Sequence, residues 1–237
     1  MIIINRRIGI FKKKEIWFAD PTDSRDCAYI GFWSRKMIDI PQFNRSEFFT
    51  ILLDLTQSLD QIYSNMRKEF IRKQIEKGIR DKIKIIQSDN FNEFYKLNKQ
   101  LSKIKGITFN EKINILRKGK LFLAFKDNNL LAGTLFLEDS KNIRLWFTAS
   151  KRFDEGIKKK LVGEASRLII WEAIKYAKAK GIHWFDMGGI SINPNEKDKY
   201  SITLFKQGFG GTISRIYYYD KYYSRLFKLL KYLKQRY

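Results

Sequence analysis

The sequence predicts an α/β (α+β) fold, a mixed, mostly antiparallel sheet flanked by helices and preceded by a β-rich N-terminal extension. Three observations lead there. Apolar residues make up 44 % of the 237 positions, enough to build a core, which excludes a chain disordered throughout. Short strand-like runs alternate with segments whose apolar residues recur at helical spacing. No repeat, low-complexity tract or Pro/Gly linker interrupts the succession, and the three prolines (Pro21, Pro41 and Pro194) fall in loops.

Signals are weakest over residues 7–50, where Ile16-Trp17-Phe18-Ala19 and Ala28-Tyr29-Ile30-Gly31-Phe32-Trp33 read as short strands around a turn at Asp20-Pro21-Thr22-Asp23. Residues 49–55 read as a buried strand. Ser58 with Gln61 three residues later forms a capping box that opens a helix. This helix runs to about Lys77, where Gly78 stops it. Leu59, Ile62, Met66, Phe70 and Ile71 give it an apolar face, and Arg67, Lys68, Arg72, Lys73, Lys77 and Arg80 make the rest basic. A strand at 82–87 and helices at 92–103 and 110–117 follow. Strands at 121–125 and 130–138 form a hairpin through Asp127-Asn128-Asn129, a composition suited to a tight turn. Another strand covers 143–149. A long helix spans 162–180, with an inner face of Ala165, Leu168, Ile169, Glu172, Ala173, Tyr176 and Ala177, and ends at Gly181. A strand at 183–187, a short helix at 201–207, a strand at 212–219 and a basic C-terminal helix complete the chain. The division this suggests is an extension over 1–48, a main domain over 49–220 and an amphipathic helix over 221–237.

From residue 82 the order is strand, helix, helix, three antiparallel strands, helix, strand, short helix, strand. It resembles the GNAT N-acyltransferase fold, whose mixed sheet splays between its fourth and fifth strands. Two strings sharpen the likeness. One is His183-Trp184-Phe185-Asp186-Met187-Gly188-Gly189-Ile190; the other is Leu204-Phe205-Lys206-Gln207-Gly208-Phe209-Gly210-Gly211. Together they resemble the D-x-G-G … F-K-x-x-F-G-G signature of the Fem-type (FemAB-like) aminoacyltransferases, which attach amino acids to peptidoglycan precursors. The helix ending Trp171-Glu172-Ala173-Ile174-Lys175-Tyr176-Ala177-Lys178 and the basic helix at 60–78 with its preceding strand are similar to that family's too, so the resemblance covers roughly residues 49–220.

The chemistry of these residues fits group transfer. A strand ending in Asp-Gly-Gly bares backbone at the mouth of a sheet, where a Cβ would block a ligand. Asp186 there either orients or deprotonates an amine, or caps the following loop while Gly188 and Gly189 turn the chain. Lys206, beside Phe205 and before the Gly208–Gly211 turn, is either a poorly screened cation able to stabilise an oxyanion or a surface lysine at a helix end. The resemblance implies a place for Lys206 near the transferred aminoacyl group. Phe205, Gly188, Gly189 and Trp146 are the further substrate-binding candidates. Acyl-CoA-dependent GNAT enzymes carry a Q/R-x-x-G-x-G/A turn before their central helix; here the region reads Arg152-Phe153-Asp154-Glu155-Gly156-Ile157-Lys158, without it. Lys158, Lys159 and Lys160 remain either phosphate-holding cations or a solvated run.

The resemblance implies aminoacyl-tRNA as donor, an anionic cell-envelope precursor as acceptor, and no metal or cofactor. Acyl-CoA transfer to an amino sugar, or a non-catalytic RNA- or membrane-binding module, are the alternatives. Full-length Fem-type enzymes usually have two GNAT-like halves, whereas this chain has room for one, leaving a homodimer or a smaller acceptor to fill the gap. A formal charge of +22 suits polyanionic partners such as tRNA or an anionic membrane face, or reflects Lys-rich composition alone. Cys27 and His183 are the only residues of their kinds, which excludes an intrachain disulfide and a zinc site built on those ligands. With no signal-like start and no run near 18 apolar residues, the expectation is a cytoplasmic protein, peripheral at most at the inner membrane face. The helix from Tyr222 to Tyr237 sets Leu226, Leu229, Leu230, Leu233 and Tyr237 among Arg225, Lys228, Lys231, Lys234 and Arg236, a face for anionic lipid or for its own domain.

Overall fold

Residues 121–125, Leu-Phe-Leu-Ala-Phe, are apolar at every position because the strand they form is covered on both faces. The computed structural model describes residues 1–154 and 156–234. In chain order the elements are β1 (Ile2–Ile8), β2 (Phe11–Trp17), β3 (Tyr29–Ser34), β4 (Asn44–Asp54) and α1 (Leu59–Asn65). A π-helical turn (Lys68–Arg72) leads into α2 (Lys73–Arg80), β5 (Lys84–Ser88), α3 (Phe91–Ile104), α4 (Ile113–Leu116), β6 (Lys120–Lys126), β7 (Asn129–Glu138) and β8 (Asn142–Ser150). There follow α5 (Lys159–Ala179), β9 (Trp184–Ile190), α6 (Lys197–Gln207), β10 (Thr212–Tyr222) and α7 (Arg225–Lys234). The chain divides into two units, residues 51–213 and residues 1–50 with those from 214 onward.

In the larger unit the sheet order is β4, β9, β8, β7, β6, β5, with β5 to β8 antiparallel and β8 parallel to β9. Phe122 and Ala124 face a core shared with Ile62, Met66, Ile71, Ile75 and the inner residues of α5; Leu121 and Leu123 face a second core with Phe91, Phe94 and Leu97 of α3. The sheet is thus flanked by helices on both sides. Asp127 (φ 48°) and Asn128 (φ 62°) make the β6–β7 turn, as their composition leads one to expect. The registered ladder between β8 and β9 runs only from Asn142↔Trp184 to Arg144↔Asp186, although β8 goes on to Ser150 and β9 to Ile190. The ladder thus ends early between the fourth and fifth strands counted from β5, the place where the sequence reading expects a splay.

Helical details differ from the sequence reading. The Ser58–Gln61 capping box forms, but α1 stops at Asn65, and the chain restarts as the π-helical turn because the Arg67 N–H donates to Gly208 O (2.8 Å). That insertion shifts the helical phase, burying Ile71 and leaving Phe70 at 43 % exposure. Gly78 does not end a helix. It lies inside α2 and faces α5, where a Cβ would sit at ordinary contact distance, 3.5 Å from Leu168 and 3.6 Å from Glu164 O. On α5, Glu172 is not on the inner face: it pairs with Lys175 (2.7 Å), while Glu164 is the buried acid. Burial and the neighbouring carboxyl of Asp81 raise the pKa of Glu164.

The smaller unit has strand order β1, β2, β3, β10. β1 and β2 form an antiparallel hairpin, yet β2 and β3 are parallel (Ile16↔Phe32). Residues 18–28 are therefore a crossover and not a tight turn around Pro21. β10 runs antiparallel to β3, and Ile16, Ile30, Phe32, Tyr217 and Tyr219 close the core. Ser224 Oγ accepts the Phe227 N–H (3.2 Å) at the start of α7. Among the described residues of this helix Phe227, not the leucine face, is buried; Arg236 and Tyr237 lie outside the described residues. Among the described residues no helix is long and apolar enough to cross a membrane.

Candidate active site

The site lies where the β8–β9 ladder ends. Arg144 and Asp186 are the last register pair of the ladder, so their side chains leave neighbouring strands side by side. Arg144 Nη1 donates to Asp186 Oδ2 in an ion pair whose two side chains are 8 % and 9 % exposed. The other carboxylate oxygen, Oδ1, accepts the Gly188 N–H (2.8 Å) and fixes the turn that follows. Gly188 has φ +79°, and a Cβ there would sit 3.0 Å from Leu145 O and 3.5 Å from Lys206 Nζ. The glycine therefore serves both the left-handed backbone and the close approach of Leu145 O. Gly189 is exposed, and its carbonyl accepts a hydrogen bond from Lys206 Nζ at 2.7 Å.

Lys206 reaches this point from the last turn of α6, half-buried. Burial, and then the like charge of Arg144, lower its pKa to about 8, against the opposing pull of Asp186. A cation so placed gives up its proton near neutrality yet is still charged at pH 7, which is what an oxyanion donor needs. Phe205 lies beside it, edge-on to Phe209 with ring centroids 5.5 Å apart. The guanidinium of Arg167 on α5 lies 5.1 Å from the Phe205 ring centroid and 4.8 Å from that of Phe70, and its Nε donates to Phe70 O (2.8 Å). A second strap runs beneath: a Cβ on Gly208 would come within 2.9 Å of Ile71.

Asp186, Gly188, Gly189, Phe205 and Lys206 are thus brought together. Trp146 is not among them. It is the extra residue of a bulge between β7 and β8, and its ring packs with Phe147 (4.7 Å) in the second core, across the sheet from Phe205. Lys158, Lys159 and Lys160 are exposed at the start of α5; Lys158 is the N-cap and makes no side-chain cap hydrogen bond. Sequence reasoning missed Arg144 and Arg167. The one signal for Arg144 is a cation between Ile143 and Leu145 inside a strand, where alternation alone suggests a solvent-facing position.

No curated protein matches the chain. Two solved structures with this fold are FemX and L-PGS from Bacillus licheniformis. FemX is 12 % identical with a TM-score of 0.69, over 96 % of this chain and 85 % of that one. L-PGS from Bacillus licheniformis is 11 % identical with a TM-score of 0.59, over 98 % and 84 %. The model of the FemAB family matches residues 112–235, more than half the chain, and so takes in Arg144, Asp186, Phe205 and Lys206. By that match the chain belongs to the FemAB family and is an acyltransferase.

Proposed function

We propose that the chain transfers an aminoacyl group from aminoacyl-tRNA to an amino group of a peptidoglycan-type precursor. The observation that carries this reading is Lys206, half-buried where the β8–β9 ladder ends, with its pKa brought down to about 8. The acceptor amine attacks the ester carbonyl of the donor, forming the N–C bond and pushing the carbonyl electrons onto oxygen. Lys206 stabilises that oxyanion; its collapse breaks the C–O ester bond and releases the tRNA hydroxyl, which takes up a proton as the amine gives one up. Asp186 holds Arg144 and the Gly188 turn, and so sets where Lys206 points. The bare glycine backbone leaves the site open to the acceptor. Lys158, Lys159 and Lys160 offer charge to donor phosphates. The enzyme is read as cytoplasmic and peripheral at the inner membrane face.

Purified protein incubated with charged tRNA and a soluble nucleotide-linked muropeptide tests this. Mass spectrometry should find the acceptor heavier by one aminoacyl residue, in a reaction sensitive to ribonuclease. Product formed from an acyl-CoA and not from charged tRNA would replace the donor while leaving the Lys206 chemistry in place.

A further inference from the structure

The C-terminal helix is mounted the wrong way round for a helix that serves only its own domain. Among the described residues of this helix the deeply buried one is Phe227, 3 % exposed, which packs on Phe11 (5.1 Å), Tyr222 (6.2 Å) and Tyr29 (6.4 Å). Lys231, one turn on, lays its ammonium over Tyr29 (4.9 Å) and Tyr222 (5.8 Å). A cation thus takes an inner position, while Leu226, Leu229, Leu230 and Leu233 stand 56 %, 57 %, 46 % and 50 % exposed. Four leucines in water on one short helix form a patch that calls for a covering surface.

We propose that α7 docks on an anionic lipid surface, inserting this leucine stripe among the acyl chains while its cations meet the headgroups. Charge decides between occupants. Residues 221–237 carry Lys221, Arg225, Lys228, Lys231, Lys234 and Arg236 and no acid, so a second copy of the helix would bring like charges together. An anionic bilayer neutralises them, each basic residue near the surface being worth about fivefold in affinity. This surface gives the proposed enzyme's peripheral location a physical means. Binding is read without turnover, so its failure and that of the transferase reading are told apart.

The experiment is co-sedimentation of the full chain with vesicles of phosphatidylglycerol and phosphatidylcholine, or of phosphatidylcholine alone. The parent should pellet with the anionic vesicles and stay in solution with the neutral ones. Leu229→Ser/Leu230→Ser keeps every charge and alters only exposed positions, and should bind about tenfold more weakly. Leu226→Ser/Leu233→Ser is the independent repeat, with melting temperatures checked for both. Equal pelleting of parent and serine variants overturns the proposal in favour of bulk charge. Absence of parental binding overturns it outright. A dimer in sedimentation equilibrium without lipid, lost in the serine variants, assigns the stripe to a second copy instead.

Discussion

Lys206 and Arg144 are neighbouring cations that share the field of one buried carboxylate, Asp186. Lys206→Met should lower kcat and kcat/KM together by about two to three orders of magnitude, leaving KM nearly unchanged, in steady-state kinetics. Its melting temperature should stay close to the parent's, since one partly exposed hydrogen bond is worth about 1 kcal/mol. Lys206→Arg should not restore the rate, because a broad planar guanidinium does not fit the space of an ammonium. The parent's kcat should fall as pH rises through about 8, where Lys206 loses its charge. Asp186→Asn removes the group that favours the charged lysine and should move that limb to lower pH; Arg144→Met should move it higher. Asp186→Asn also breaks this buried ion pair, at a cost of about 3–5 kcal/mol by chemical denaturation. The sign for stability follows from the same shift. Lys206 binds its proton less tightly folded than unfolded, so it detracts from stability below pH 8 and that penalty lifts as pH rises from about 8 toward the ordinary lysine value. Relative to Lys206→Met, the parent should therefore gain stability over that alkaline range.

Among the elements, the α2–α5 contact makes the sharpest case. Gly78→Ala puts a methyl at ordinary contact distance from Leu168 and adds helix propensity, so it should be neutral or stabilising by up to about 1 kcal/mol. Gly78→Leu should cost about 1–3 kcal/mol by overpacking, read as a lower denaturation midpoint with an unchanged slope. Strands such as β6 and β7 were legible because apolar runs and an Asp-Asn turn are properties of the chain itself. The long helix was legible from its periodicity and from Gly181 at φ +71°. The break after Asn65 was not: its cause is a hydrogen bond from Arg67 to Gly208, far along the sequence. In the site, Asp186, Phe205 and Lys206 stood out through their glycine-rich strings. Arg144 did not, because its partner lies 42 residues away and nothing local distinguishes it from a solvated strand arginine. The parallel pairing of β2 and β3 was hidden for a like reason, since the loop between them carries turn residues whether or not the strands are neighbours.

At the scale of the whole molecule, a formal charge of +22 makes anions part of the protein's working state. If tRNA is the donor, filter binding should show affinity falling about a thousandfold between 50 and 200 mM salt, as for some six phosphate contacts. An affinity flat with salt would remove nucleic acid from the account of that charge. The link between the π-helical turn and the lysine motif has a consequence for anyone recombining this sequence with a relative's. Arg67 grips Gly208 O, Ile71 lies under Gly208, and Asn65 O would meet a Cβ on Gly210 at 2.6 Å. Residues 65–71 and 206–211 are therefore one inherited part written in two places. A chimaera that exchanges either segment alone should fold poorly or lose activity, and one that exchanges both should keep the two sides in step.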